Sequence, residues 1–224
     1  MPKDHRRRQE KLLKKRRKEK AKKKRMHIAT SASFERRLLR DARDYPILEC
    51  FVNKEWREQG IANVVVARAQ SEHLTLFGVF LVDLGCLGVK NAFCNVSVTR
   101  SDYGEFKENF REGNEGLSIC SVSLAHEIVY GGLDYAKAIG FRPHKDFALA
   151  QLILEPREAI TFDNGVEFGK DGKPFYCSGP NDNVDRIMNH LTKTLGPDNF
   201  HYIVHVATED FEYEIDDELG ETEE

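Results

Sequence analysis

The stretch LTLFGVFLVDLGCLGVKNAFCNVSV, residues 74–98, constrains this chain more than any other. It is the longest apolar run and lies near the middle of the sequence. Its β-branched and aromatic residues suit a pleated, buried surface better than a helix. Asp83 and Lys90 sit inside it, among glycine and asparagine breakers. A membrane span needs about 20 consecutive, almost uncharged apolar residues, so the pattern reads as core. The preceding run, Ile61–Ala69 (IANVVVARA), has the same character, and residues 70–73 suit a hairpin between the two. After the break at 85–88, residues 92–100 read as a third strand. A meander is expected at the centre of the fold.

Around this centre the chain alternates less regularly. Ser31 or Ser33 can cap a helix over residues 34–43, with Phe34, Leu38, Leu39 and Ala42 as its apolar face and Pro46 beyond its end. Residues 47–56 are ambiguous between strand and helix, and Trp56 suits a core or lid position better than a ligand platform. Residues 101–111 form a short charged helix around Tyr103, Phe106 and Phe110, followed by a short strand over 117–122. The clearest helix covers residues 123–139, with Ser123 as cap, Glu127 in the first turn, and Gly140 and Pro143 as stop signals. Gly131–Gly132 interrupts it at roughly 1 kcal/mol per glycine, a cost that close packing of another backbone or a ligand can offset. Residues 145–155 read as a further helix stopped by Pro156. Segments 166–170 and 173–177 flank Asp171–Gly172, a hairpin turn signal. A helix over 184–195 and a strand over 200–207 complete the pattern. Strands cluster first, helices follow and strands return, so the fold class is α+β, an antiparallel meander sheet packed with helices.

Charge divides the chain further. Residues 3–25 hold 15 Lys or Arg against three acids, about +12, and the remainder carries 19 basic and 34 acidic residues, about −15. Residues 209–224 hold ten acids and no base. The expected organisation is a disordered basic arm (1–28), one α+β domain (29–208) and an acidic tail (209–224). Five widely spaced cysteines, odd in number and without a CxxC pair, suit reduced thiols in a cytoplasmic protein. Positive charge at the N-terminus has no apolar segment behind it, so no secretory signal is expected.

The arm points to a polyanionic partner. Arg6, Arg7, Arg8, Lys14, Lys15, Arg16, Arg17, Lys22, Lys23, Lys24 and Arg25 would release counterions on meeting phosphates. No aromatic residue is interleaved, so base stacking is not offered by the arm, and binding there would be salt-sensitive and poor in sequence specificity. The expected partner is nucleic acid, RNA in particular, with no membrane partner because no apolar stripe accompanies the charge.

Three places could carry chemistry. Asp83 lies in an apolar strand, where a carboxylate must be paired, hydrated or bound to a metal. Lys90 is the expected partner, and a strand-end turn is the other structural explanation. The sharper reading is a metal-binding acid at a strand end, with Glu127 on a later helix as a second acid, by analogy to ribonuclease-H-like nucleases. That pattern departs here, because a strand already precedes Asp83 and no third acid can be assigned. His144 and Asp146, two apart in FRPHKD (141–146), can converge on a proton or a metal, with Arg142 and Lys145 beside them for a phosphate, or one of the two simply caps the helix that follows. Residues 179–183 (GPNDN) open a helix whose amides can hold an anion, or whose Asp182 or Asn183 simply caps it. His126–Glu127 lacks the second histidine of HExxH, which excludes that metalloprotease pattern.

The segments CLGVK (86–90), GLDYAKAIGFRPHKDF (132–147) and GKPFYCSGPND (172–182) together resemble a widespread, uncharacterised bacterial family with Lys/Arg-rich N-termini. The resemblance covers most of the chain after the arm. It implies a bacterial, intracellular protein and no known activity.

Three functions remain in view from sequence. The first is a nucleic-acid-associated protein, RNA- or ribosome-linked and tethered by its arm. The second is a metal-dependent nuclease or phosphotransfer enzyme using Mg²⁺ or Mn²⁺ through Asp83, Glu127, His144 and Asp146. The third is an interaction subunit of a larger complex, in which the oppositely charged tails meet partners or each other.

Overall fold

Two adjacent runs of apolar residues, each buried along nearly its whole length, require cover on both faces of the sheet they form. In a computed structural model, which describes residues 34–205 together with Lys18, that is the arrangement found. Apart from Lys18, the arm, the Ser31 and Ser33 capping positions and the acidic tail lie outside the described residues.

The strands β1 (Ile47–Asn53), β2 (Ile61–Ala69), β3 (Leu74–Asp83) and β4 (Gly88–Thr99) form an antiparallel meander. β5 (Leu117–Ile119) adds antiparallel to β1, giving the order β4-β3-β2-β1-β5. The β2–β3 register runs unbroken from Ile61 opposite Asp83 to Ala69 opposite Thr75. Because side chains alternate across a strand, β2 and β3 feed two cores. Val64, Val66, Leu76, Phe80 and Val82 enter one. Val65, Ala67, Phe77 and Val79 enter the other.

From residue 34 onward the described residues form α-helical segments around the sheet and in a smaller lobe beside it. They are α1 (34–40), α2 (Trp56–Gln59), α3 (Arg100–Gly113), α4 (Val122–Ala138), α5 (Phe147–Ala150) and α6 (Val184–Leu195). α4 covers the first core through Ala125, Ile128 and Val129. α3 covers the second through Tyr103, Phe106 and Phe110; Phe77 stacks on Phe106 at 4.4 Å and Phe51 meets Phe110 edge-on at 5.1 Å. Such ring pairs contribute about 1 kcal/mol each beyond area burial. Trp56 is buried, as expected, with the Arg57 guanidinium 4.2 Å from its ring centroid.

A third cluster forms a smaller lobe. Cys86 and Leu87 from the β3–β4 turn and Ile139 from the end of α4 pack against Tyr176, Leu191 and Phe200. In this lobe β6 (Phe175–Cys177) and β7 (His201–Ile203) pair in parallel, with α6 in the connection between them. Among the described residues no helix is long and apolar enough to cross a membrane.

Several elements differ from expectation. α4 is capped by Ser121, whose side chain accepts from the Leu124 amide at 3.0 Å, not by Ser123, so Glu127 falls in the second turn. The helix runs unbroken through Gly131 and Gly132. A Cβ on Gly132 would stand 2.5 Å from Val82 Cγ1 and one on Gly131 2.4 Å from Phe168 Cζ, so these glycines admit neighbours that any side chain would displace. The helix expected over 145–155 is only α5 plus a 3-10 turn, Gln151–Ile153. Its later carbonyls serve arginines instead of a continuing helix: Arg68 Nε donates to Ile153 O at 2.7 Å and Arg43 Nε to Leu154 O at 2.8 Å. The turn at Asp171–Gly172 forms with both residues at positive φ, 52° and 74°, but supports a single bridge, Lys170 with Lys173. The arms part because Gly169 N donates to Leu84 O at 2.8 Å while β6 takes β7 as its partner.

Candidate functional site

Asp83 ends β3, and its carboxylate is turned onto its own backbone. Oδ1 accepts from Cys86 N at 2.9 Å and from Leu87 N at 3.4 Å, closing the turn into β4. Burial raises its carboxyl above the usual range, against the opposing pull of the turn amides and of Lys90. Lys90 is not its ion-pair partner: Lys90 Nζ reaches Asp182 Oδ2, at 2.8 Å. Of the explanations for a carboxylate in this strand, the strand-end turn accounts for the geometry.

Glu127 is committed in the same way. Oε2 accepts from Asp163 N (3.0 Å), Asn164 N (2.8 Å) and Asn164 Nδ2 (2.7 Å), and Oε1 from Val166 N (3.0 Å). Burial alone would raise its pKa, but these donors outweigh it and hold the carboxyl below its ordinary value. Its neighbour His126 is fully buried. His126 Nδ1 meets the Val122 carbonyl at 2.6 Å and so carries the hydrogen, while Nε2 accepts from Glu155 N at 2.7 Å. Both residues therefore fasten loops onto α4. Among the described residues, no three His, Cys, Asp or Glu side chains are grouped to hold a metal ion.

The other two candidate segments meet. Residues 140–144, which follow α4, and residues 181–190, the start of α6, face each other across a cleft of about 520 Å³. Leu87, Val89 and Lys90 form its floor. The His144 amide donates to Val89 O at 2.9 Å and pins the first wall to β4. Asp182 fixes the second, since its Oδ2 accepts from Lys90 Nζ (2.8 Å), Gly179 N (2.9 Å) and Tyr176 Oη (3.4 Å). Asn183 caps α6, accepting from Arg186 N at 3.0 Å. His144 Nδ1 lies 3.8 Å from Asp146 Oδ2, too far for a hydrogen bond, and has no hydrogen-bond partner among the described residues.

Three cations line this cleft, Lys90, Arg142 and Arg186, against one carboxylate, Asp182, which Lys90 already neutralises. Both arginines are exposed, and among the described residues neither guanidinium makes an ion pair or hydrogen bond. His190 closes the far end. Its Nε2 donates to Ile139 O at 2.9 Å and its ring lies 4.6 Å from that of Phe141. Gly140 admits this approach, for it has φ +87° and a Cβ there would stand 3.0 Å from His190 Nε2.

Thus Lys90, Arg142, His144 and the 179–183 segment converge, whereas Asp83 and Glu127 serve elsewhere. The eleven arm cations lie outside the described residues. Sequence reasoning passed over Arg186 and His190, although their spacing from Asn183 by three and seven residues places all three on one face of a helix. It also passed over Arg68, buried in β2, which donates to Ile153 O and Tyr45 O at 2.7 Å and pairs with Glu155 at 2.6 Å. The signal was the one used for Asp83, a charge within an apolar strand.

No protein-family model, curated protein or solved structure matches the chain.

Proposed function

We propose that this is a nucleic-acid-associated protein, RNA- or ribosome-linked, tethered by its basic arm in the cytoplasm. The observation that carries the reading is the concentration of 15 cations against three acids in residues 3–25 of a chain whose remainder is acidic. Such a segment gains affinity for phosphate backbones by counterion release. The cleft supports it, because unpaired guanidiniums gathered in an otherwise acidic body run against the overall charge. The engagement of Asp83 and Glu127 by backbone amides favours binding over metal-dependent cleavage.

The test uses the full chain and a variant with the eleven arm cations replaced by glutamine. Each is mixed with single- and double-stranded RNA and DNA, with and without Mg²⁺ or Mn²⁺. RNA binding by the parent chain should fall steeply with salt, by roughly a thousandfold between 50 and 200 mM if six or more phosphates are engaged. It should be lost in the glutamine variant, and the nucleic acid should remain uncut. Metal-dependent cleavage would overturn the reading in favour of a nuclease or phosphotransfer enzyme. Absence of binding would overturn it in favour of a protein partner.

A further inference from the structure

The cleft between α4 and α6 has features that the arm lacks. The arm carries charge and no aromatic residue in its sequence, whereas the cleft combines charge with an enclosed volume and aromatic rings. Its volume, about 520 Å³, falls within the range of roughly 300–1,000 Å³ typical of small-ligand sites. Leu87, Val89, Pro143 and Ile187 make an apolar lining, and the paired rings of Phe141 and His190 present an aromatic edge. Arg142 comes from one wall and Arg186 from the other, and among the described residues both are unpaired. Two guanidiniums on opposite walls suit the bidentate recognition of a phosphate. Asp182 adds no net repulsion, because Lys90 and the Gly179 amide occupy its carboxylate.

We infer that the cleft binds one nucleotide unit, with its phosphate between Arg142 and Arg186 and its base on the apolar lining beside Phe141 and His190. The inference rests on the nucleic-acid reading for the choice of a nucleotide among phosphate esters. It gives the protein a second, shaped contact that holds a single residue of a strand, in addition to the arm's diffuse hold on the backbone. His190 donates Nε2–H to Ile139, so its Nδ1 is the nitrogen left to accept from a base.

Calorimetric titration of the 224-residue chain tests this, with adenosine 5′-monophosphate, uridine 5′-monophosphate, adenosine and inorganic phosphate as probes at low ionic strength. One saturable site for the monophosphates is expected, with adenosine and phosphate each weaker. In an Arg142→Ala/Arg186→Ala variant the affinity for the monophosphates should drop roughly tenfold or more. Its unfolding midpoint should not move, since both side chains are exposed. The arm-glutamine variant should bind the monophosphates as the parent does while losing RNA, so the site and the tether fail separately. Unsaturable heats, parent-like affinity in the double variant, phosphate bound as tightly as the nucleotides, or monophosphate binding lost with the arm would each overturn the inference.

Discussion

His126 and Glu127 are adjacent in α4, and both work on the backbone of other segments. In sequence the pair is suggestive only as a broken metal motif. Its actual role depends on Val122, Glu155 and the loop 163–166, none of which its own spacing identifies. Protonation affects the two residues at different acidities. Burial, outweighing the pull of the Val122 carbonyl, lowers the pKa of His126 below its ordinary value. The unfolded chain then takes up the proton first, so the stability from neutral His126 is fully present above the unfolded pKa of about 6.5 and declines as pH falls below it. Unfolding free energies from urea titrations run downward from pH 7.5 should fall once pH drops below about 6.5, by up to roughly 1.4 kcal/mol per pH unit. In His126→Gln this component of the slope should vanish while stability at pH 7.5 is already lower; an unchanged slope would refute the assignment. A charged imidazole would aim a second N–H at the Glu155 amide, which gives the effect its cause. Glu127, held below its usual range, adds a loss only in stronger acid.

At the scale of elements, the meander, α3 and α6 were legible because periodicity and caps agree there. The 184–195 helix matches the observed α6 end to end. What was not legible depended on distant partners. The 145–155 helix gives way to a 3-10 turn with Leu154 already extended, and Arg43 and Arg68, more than 80 residues away, donate to the carbonyls left at that end. The 166–177 hairpin opens because β7 outcompetes its own first arm. The glycines of α4 allow a quantitative test of packing against propensity. Replacing a helical glycine by alanine gains about 1 kcal/mol of propensity. At Gly132 the new methyl meets Cγ1 of the fully buried Val82, and overpacking of that kind costs about 1–3 kcal/mol. At Gly131 it meets the tip of the half-buried Phe168 ring, which can swing aside. Gly132→Ala should therefore lower the urea midpoint and Gly131→Ala should leave it nearly unchanged; equal effects would show that α4 and the sheet are not locked as described.

At the scale of the whole molecule, one ion pair fastens the smaller lobe to the sheet. Lys90 lies on β4 and Asp182 precedes α6, and both are largely buried. Asp182→Ala leaves Lys90 Nζ, Gly179 N and Tyr176 Oη without their acceptor, a loss of about 2–4 kcal/mol. Amide hydrogen exchange should show faster opening of α6 and β6 while β2 and β3 keep their protection; uniform acceleration would mean the lobe and sheet unfold as one. This connection also shows what the sequence could disclose of the site. FRPHKD and GPNDN could each be marked as polar starts of helical segments. That they form opposite walls of one cleft depends on a crossover between parallel strands, which local pattern does not encode.

That crossover also makes the cleft conditional on two parts of the molecule staying together. β2, β3 and β4 pair with their neighbours in sequence, whereas β6 meets β7 across an intervening helix. The cleft lies on the seam between the sheet and this lobe, with Leu87, Val89 and Lys90 from one and Asn183, Arg186 and His190 from the other. It exists only while the lobe is docked. A bound occupant would therefore hold the seam shut by mass action, making the opening of the lobe responsive to what the cell supplies.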